Sequence, residues 1–204
     1  MKMSGETRVS FVSLGCAKNV VDSEKMLGQL AEAGCAITAD EDDAEVTVIN
    51  TCGFLDAARV EADEVIREAV ARKRNGVLKR VVVAGCLVQR DKEAILERIK
   101  GVDALVGVNN RDDIVRAVLG TNGRKTKRTT DIYLSDYHPF TQLDTARLRI
   151  TPLHYAYLRI SEGCDQKCTF CTIPSIRGPM HCKPPEIVLA EARELVSDGA
   201  VEIS

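Results

Sequence analysis

Residues 46–53 read VTVINTCG, a short apolar run followed by two polar residues and then by a cysteine beside a glycine. A run of this length with apolar side chains on both faces is typical of a strand buried in a parallel sheet. Two further runs, FVSLGC at 11–16 and VVVAGC at 81–86, end in the same way. This repetition predicts the α/β fold class, with an amino-terminal parallel sheet and flanking helices.

The segments between these runs place apolar side chains at helical spacing. After the first run, Asp22 and Ser23 are suitable caps for a helix that Gly34 would end. After the second run, Asp56 is a suitable cap for a longer helix. We therefore expect each strand to be followed by a helix that returns the chain to the start of a parallel neighbour.

The same alternation continues further along the chain. A helix from about Asp91, a strand at 104–106 and a short helix around Ile114 complete a first domain, which we place at 1–120. The run TNGRKTKR that follows brings turn-forming residues and four positive charges. Such a run suits contact with an acidic partner, but it is more often a solvated connection, and we predict a linker or hairpin over 121–150.

The last part of the chain begins a different pattern. A strand at 153–160 is followed by a cysteine-rich loop, by a helix that begins at Pro185 and ends near Gly199, and by the start of a strand at 201–204. This order is typical of the first unit of a parallel (β/α) barrel. We therefore place at 151–204 the truncated start of a second domain and expect the chain to be a fragment.

Composition narrows the class of protein. The chain has 28 Lys and Arg against 30 Asp and Glu, so a nucleic-acid partner is not favoured. No apolar run has the length of a membrane span, and the opening MKMSGE lacks the apolar stretch of a signal peptide, which predicts a cytoplasmic protein with no membrane partner. In a reducing cytoplasm, eight cysteines require a use other than disulfide bonds.

Cys16, Cys52 and Cys86, which we call the sheet-edge cysteines, each follow a predicted strand and lie next to a glycine. Because the carboxyl ends of parallel strands meet at one edge, we expect these thiols to converge there. Three thiolates without a nearby histidine suit a soft metal or an iron–sulfur group. The alternative is that each is a small buried apolar residue.

A second set, Cys164, Cys168 and Cys171, lies within CDQKCTFC and is called here the loop cysteines. Zinc normally takes four protein ligands, and His181 or Cys182 would have to supply the fourth. An iron–sulfur cluster on three thiolates instead leaves one iron open, which catalysis requires. The spacing therefore favours a catalytic cluster over zinc.

The loop motif, with an aromatic residue before its third cysteine, resembles the signature of the radical S-adenosylmethionine (SAM) enzymes. The resemblance implies that the loop cysteines hold a 4Fe-4S cluster whose open iron binds SAM. The motifs SLGCAKNVVDSE, NTCGF, GCL and ISEGC resemble the methylthiotransferases within that group. That family implies a first 4Fe-4S cluster on the sheet-edge cysteines, so that two clusters and SAM are the expected cofactors.

The motifs LHYAY at 153–157 and IPSIRG at 173–178 resemble the branch of this family that modifies an aspartate of ribosomal protein S-twelve. That branch implies radical removal of a hydrogen from the aspartate, insertion of sulfur and transfer of a methyl group. The implied partners are this protein or the small ribosomal subunit and an electron donor, and we expect a monomer. The alternatives are the branch that modifies tRNA adenosine and, more distantly, a non-catalytic zinc or electron-transfer module.

The same resemblance suggests roles for two further residues. Phe170 either packs on the adenine of SAM or is a core aromatic, and Arg177 either faces a carboxylate of SAM or substrate or is solvated. Cys35 and Cys182 are interpreted as non-ligands. The sequence departs from the family at Ala17, where proline is usual, and in lacking the rest of the barrel and the TRAM domain. We therefore expect this chain to be inactive alone.

Overall fold

The computed structural model describes residues 6–120, 130–137 and 143–204. Its larger part is a six-stranded sheet made of β1 (Arg8–Ser13), β2 (Ala36–Ile37), β3 (Val46–Thr51), β4 (Arg80–Gly85), β5 (Ala104–Val106) and β6 (Asp131–Tyr133). The strands lie in the order β2-β1-β3-β4-β5-β6, and each neighbouring pair is parallel. The predicted parallel sheet is confirmed.

Helices cover both faces of this sheet, and they are α1 (Ala17–Glu32), α2 (Asp56–Arg74), α3 (Cys86–Asp91), α4 (Ala94–Arg98) and α5 (Ile114–Leu119). Apolar residues of α1 and α5 share one core with the sheet, and those of α2, α3 and α4 share the other. The α/β fold class is therefore confirmed. Within the described part of the chain, none of the helices combines the length and the apolar character needed to cross a membrane.

The central strand β3 explains why its sequence is a continuous apolar run. All six of its residues are buried, because strands lie on both of its sides and helices cover both of its faces. Val48 packs into the core that contains α1, whereas its neighbour Ile49 packs into the core that contains α2. Successive side chains of a strand point to opposite faces, so both faces must be apolar here.

The first helix begins before its predicted cap. Ala17 is the first residue of α1 and Cys16 is its N-cap, so Asp22 and Ser23 lie inside the helix, where both are buried. The prediction that they cap the helix is wrong. Gly15 adopts φ +103° and turns the chain into the helix soon after β1 ends, a conformation that favours glycine.

The remaining helix boundaries lie closer to prediction. The helix α1 ends shortly before Gly34, as expected. Asp56 is the first residue of α2 rather than its cap, because Leu55 occupies the N-cap position. The single helix predicted from about Asp91 is replaced by the pair α3 and α4, which are separated at Lys92, a residue with φ +50°.

The sequence does not predict β6. This strand pairs in parallel with β5 and lies within 121–150, where we predict a linker or hairpin. The sheet is therefore not complete at residue 120. A strand of three residues is too short to show an alternating pattern that could be recognised beforehand. The basic run TNGRKTKR lies outside the described residues.

Residues 143–204 contain β7 (Tyr155–Ala156), β8 (Ser161–Glu162), α6 (Ile173–Arg177), β9 (His181–Cys182), α7 (Pro185–Ser197) and β10 (Glu202–Ile203). The strands β7 and β10 are parallel, with α7 between them in the chain, and Leu195 packs against Ala156. This confirms the predicted order of strand, loop, helix and strand, although β7 is much shorter than 153–160. The antiparallel pair β8 and β9 and the helix α6 are not predicted.

Candidate functional site

The sheet-edge cysteines lie at three adjacent strand ends. Cys16 follows β1, Cys52 follows β3 and Cys86 follows β4, and β3 lies between the other two strands in the sheet. Cys16 is also the N-cap of α1, and Cys86 is the first residue of α3. The three residues therefore converge at one edge, as the topology of a parallel sheet requires.

Two glycines allow these strand ends to approach each other. A Cβ atom on Gly15 would lie 2.9 Å from Cβ of Cys52. A Cβ atom on Gly53 would lie 2.7 Å from the carbonyl carbon and oxygen of Cys86. Neither position has room for a larger residue unless the strand ends move apart. Three thiols held in such a cradle fit a thiolate-bound iron–sulfur group.

Asn19, which lies in the first turn of α1, joins the same three strand ends. Its Nδ2 donates hydrogen bonds to the carbonyl oxygen of Leu14, at 2.9 Å, and to that of Thr51, at 3.0 Å. The Cys86 thiol lies 3.5 Å from its Oδ1. Sequence reasoning assigned Asn19 no role. Its position three residues after Cys16, one helical turn from that cysteine, is the signal that could have indicated one.

The sheet-edge cysteines differ in their access to solvent. Cys16 is exposed, Cys52 is half-buried and Cys86 is buried. Burial raises the pKa of the Cys86 thiol to about 11, although the nearby charge of Arg177 acts in the opposite direction. Because only a thiolate binds a metal, iron binding at Cys86 would displace its proton.

The loop cysteines lie between β8 and α6, in a segment without regular secondary structure. The backbone N–H of Cys164 donates to the carbonyl oxygen of Gly178 at 3.1 Å. Gly163 adopts φ +75°, and a Cβ atom there would lie 2.1 Å from the carbonyl oxygen of Pro179. The start of the loop is thus held against the chain that follows α6. Cys168 is exposed and the other two loop cysteines are half-buried, so the loop is open to a metal group.

The surroundings of three other residues bear on their predicted roles. Phe170 is 80% exposed, so it is not part of the core of the described chain. Cys35 is buried in the core that also contains Met26 and Leu30. Cys182 is exposed on β9. The interpretation of both cysteines as non-ligands remains a prediction.

Arg177, the last residue of α6, is buried and not solvated. Its Nη1 donates to the Glu162 carboxylate at 2.8 Å, and its Nη2 donates to Asp22 at 2.9 Å and to Oδ1 of Asn19 at 2.8 Å. Its Nε lies 3.3 Å from Sγ of Cys86. The carboxylates that it faces belong to this chain, in place of the carboxylate of SAM or substrate that the sequence suggests.

Arg177 is part of a buried ion-pair network that joins the first sheet to residues 143–204. Arg159 donates to Asp22 at 2.7 Å, to Asp144 at 2.6 Å and to Glu162 at 2.7 Å. Buried charges of this kind are tolerated only when they are paired and hydrogen-bonded. The members of the network are Asp22, Asp144, Glu162, Glu191, Arg111, Arg159, Arg177 and Lys183.

The network lowers the pKa of the buried Asp22 and Asp144 carboxyl groups. Burial alone would raise the pKa of Asp22, but the charges of Arg159, Arg177 and Arg111 hold it well below its ordinary value. Burial acts in the same way on Asp144, and the charges of Arg159 and Arg111 lower its pKa to about 2. Sequence reasoning missed this network because charged residues are normally exposed. The spacing of charged residues along the chain does not show which of them will be buried.

Neither set of cysteines forms a site for a single metal ion. Across residues 6–120, 130–137 and 143–204, the structure holds no group of three His, Cys, Asp or Glu side chains spaced for one ion. A 4Fe-4S cluster is larger than one ion and offers a separate iron to each thiolate, so it accepts thiols that lie farther apart. The donor set fits such a cluster, because each set consists of three cysteines.

Residues 8–107 match the family described as "Uncharacterized protein family UPF0004". Over 203 residues, the chain is 40% identical to "Ribosomal protein uS12 methylthiotransferase RimO" of Trichlorobacter lovleyi, covering 100% of this chain and 44% of that protein. Proteins of the same name from Solibacter usitatus and Anaeromyxobacter sp. are 43% and 41% identical, over 97% of this chain and 41% of each relative. The chain thus spans less than half the length of these curated relatives.

Two solved structures share the fold. One is the radical S-adenosylmethionine methyltransferase TsrM from Kitasatospora setae with tryptophan substrate and a SAM analog bound, with a TM-score of 0.63 and 15% identity over 98% of this chain and 47% of that one. The other, TsrM with cobalamin and a 4Fe-4S cluster bound, has a TM-score of 0.54, 15% identity and the same coverage. At this level of identity the likeness concerns the fold alone.

Proposed function

Because the chain belongs to the radical SAM methylthiotransferase family, we propose that it methylthiolates an aspartate side chain of ribosomal protein uS12. The name shared by its relatives supports this substrate. Since the chain spans less than half the length of those relatives, the activity is proposed for the whole protein. The proposal includes a cytoplasmic location, an external electron donor and action as a monomer.

The proposed cofactor sites are the two sets of cysteines. The sheet-edge cysteines would hold the first 4Fe-4S cluster, and the loop cysteines would hold the second, at which SAM binds. When bound, these groups would supply radical removal of a hydrogen, together with the sulfur and the methyl group to be transferred. The protein contributes binding and orientation, which its own side chains explain.

Several residues prepare the two sites for these groups. Gly15 and Gly53 allow the sheet-edge cysteines to approach each other, and Asn19 fixes the strand ends that carry them. In the second site, Cys168 and the ring of Phe170 are exposed. An exposed aromatic ring next to the loop cysteines is suited to pack on the adenine of SAM, and we propose this role for Phe170.

One observation supports the proposal most directly. Three thiols converge at adjacent strand ends, and the side chains around them also contact residues on both sides of the loop that carries the other three thiols. A zinc site or an electron-transfer site would not need two sets of three cysteines in this relation. A reaction that uses a radical at one cluster and sulfur at the other would need it.

Iron analysis tests the ligand sets. After anaerobic reconstitution, we expect about eight irons per chain, and about four when either set of cysteines is replaced by alanine. The two triple variants should each lose one cluster and keep the other. Zinc without iron or sulfide in the unaltered chain would contradict the proposal.

Mass spectrometry tests the substrate. Ribosomal protein uS12 and tRNA are isolated from cells that lack the full-length gene and from the same cells carrying it on a plasmid. We expect the methylthio group to disappear from an aspartate of uS12 and to return with the plasmid, but not with a plasmid carrying Cys52→Ala. Loss of methylthio-adenosine from tRNA, with uS12 unchanged, would favour the tRNA-modifying branch instead.

A further inference from the structure

We propose that Arg177 is a positioning residue for the first cluster, because its buried guanidinium joins Sγ of Cys86 to the Glu162 carboxylate beside the loop cysteines. It would donate a hydrogen bond to the Cys86 thiolate. A shift of the loop would then change the position of this donor at the sheet edge. This inference rests on the proposed function, since it assumes that Cys86 is a cluster ligand.

The geometry of the guanidinium fixes its orientation. Its Nε faces Cys86 at 3.3 Å, its Nη1 faces Glu162 at 2.8 Å, and its Nη2 faces Asp22 at 2.9 Å and Asn19 at 2.8 Å. Because the group is planar and rigid, partners on every nitrogen leave it no freedom to turn. The N–H that points at sulfur is therefore held in place before any cluster binds.

Arg177 and its partner Glu162 lie at the two ends of the loop that carries the second set of thiols. Glu162 ends β8, two residues before Cys164, and Arg177 ends α6, six residues after Cys171. The loop is thus closed at its base by the Arg177–Glu162 ion pair. A displacement of the loop would move the N–H that faces Cys86.

Lys18 provides a second connection between the two sites. It lies two residues after Cys16, and its Nζ donates to the carbonyl oxygen of Ser161 at 2.7 Å and lies 3.5 Å from Glu162. Lys18 follows Cys16 closely in the chain, and Arg177 contacts Cys86. Both cations also contact residues of β8. Lys18 does not face a sulfur in this way, so Arg177 alone is proposed to act on a ligand atom.

A hydrogen bond donated to a ligand thiolate stabilises the more negative, reduced form of a cluster. Arg177 should therefore make the first cluster easier to reduce. A purely structural residue would affect stability without this electronic effect. The reduction midpoint of the first cluster is the measurement that separates the two roles.

The experiment uses the 204-residue chain with the loop cysteines replaced by alanine, so that only the first cluster is present. In this background, Arg177→Lys keeps the charge but not the planar group. We expect it to retain about four irons per chain. We also expect its reduction equilibrium constant to fall at least tenfold, which is about 59 mV for one electron.

The matched control is Arg111→Lys. Arg111 is buried in the same network and bonds Asp22 and Asp144. The Arg111→Lys variant should change the reduction equilibrium constant of the first cluster by much less than tenfold. The double variant Arg177→Gln/Glu162→Gln removes one charge of each sign, so it avoids an unpaired buried charge, and it should show the same shift as Arg177→Lys.

An unchanged midpoint in both Arg177 variants would overturn the inference, and so would an equal shift in Arg111→Lys. Either result would leave the proposed function intact, because iron would still be bound. A background protein that binds no iron would overturn the proposed ligand set and this inference with it.

Discussion

Cys35 and Cys52 both belong to the first sheet, yet their surroundings point to different chemistry. Cys35 is enclosed by apolar residues of the core, whereas Cys52 lies at a strand end that the backbone of Gly15 approaches closely. A buried thiol among aliphatic side chains behaves as a small apolar residue. The same residue type at the sheet edge is one of the three thiols at which we propose that the first cluster binds.

Cys35→Ala should leave the iron content of the reconstituted chain unchanged, and so should Cys182→Ser. Cys52→Ala should lower it from about eight to about four irons per chain, because the first cluster loses a ligand. Iron and sulfide analysis after anaerobic reconstitution provides the measurement. Loss of iron from Cys35→Ala as large as that from Cys52→Ala would show that the ligand set is wrong.

Gly53→Ala should also prevent assembly of the first cluster, although Gly53 is not a ligand. The added methyl group would lie 2.7 Å from the Cys86 carbonyl, so β3 and β4 would have to separate at their ends. Gly34→Ala is the control, because its Cβ would meet nothing within 4 Å. It should lower the free energy of unfolding by about 1 kcal/mol, since φ is positive there, and it should keep its iron. Equal iron content in the two variants would contradict this prediction.

At the scale of helices and strands, the elements with clear periodicity could be predicted. The apolar runs that became β1, β3, β4 and β5 lie where the sequence indicates, and so does the helix that begins at Pro185. The start of α1 could not be predicted correctly, since Asp22 has the side chain of a cap and only tertiary contacts show that it is buried. Local patterns do not contain that information.

The strand β6 has its own consequence for stability. A protein of residues 1–120 lacks β6, which leaves β5 as an exposed edge, whereas residues 1–137 include it. We expect the shorter protein to unfold at a temperature lower by about 5 °C or more, because it loses the pairing of β5 with β6. Thermal unfolding followed by circular dichroism measures the difference. Equal midpoints would mean that β6 contributes little to the sheet.

At the scale of the whole molecule, the buried network determines how the two parts of the chain are joined. Of the candidate site, the sequence indicated all six cysteines by their spacing, but it did not indicate Arg159, Glu162 or Asp144. Arg159 pairs with Asp22, Asp144 with Arg111 and Glu162 with Arg177, and pairing between residues this far apart in the sequence arises only in the folded chain. Nor did the sequence indicate that Arg177 contacts Asp22 and Glu162 of this chain.

The network should make the free energy of unfolding depend on pH in the acid range. The pKa of Asp144 is lowered from 3.8 to about 2 in the folded chain, so its contribution is present above its ordinary pKa and is lost as the pH falls towards 2. Asp144→Asn should lower the free energy of unfolding at pH 7 by about 3 kcal/mol, because it takes one carboxylate partner from each of the buried cations Arg111, Arg159 and Lys183. It should also make the decline in stability below pH 4 less steep.

Denaturant unfolding at pH values from 7 to 2 tests this prediction. Asp42→Asn is the control, because Asp42 pairs with Arg72 while its side chain is 89% exposed. It should change the free energy of unfolding by less than about 1 kcal/mol at any pH. An acid profile of Asp144→Asn that is parallel to that of the unaltered chain would count against the assigned role of Asp144.

The same pairing limits how this protein can change by genetic exchange. A crossover near residue 120 would join Asp22 and Arg111 to a foreign second half, and each would require matching partners at the positions of Asp144, Arg159 and Arg177. A buried charge left without its partner costs about 3–5 kcal/mol, a large fraction of the stability of a small domain. Exchange of the sheet without the segment that follows it is therefore expected to destabilise the folded chain, even though each resembles a separate module.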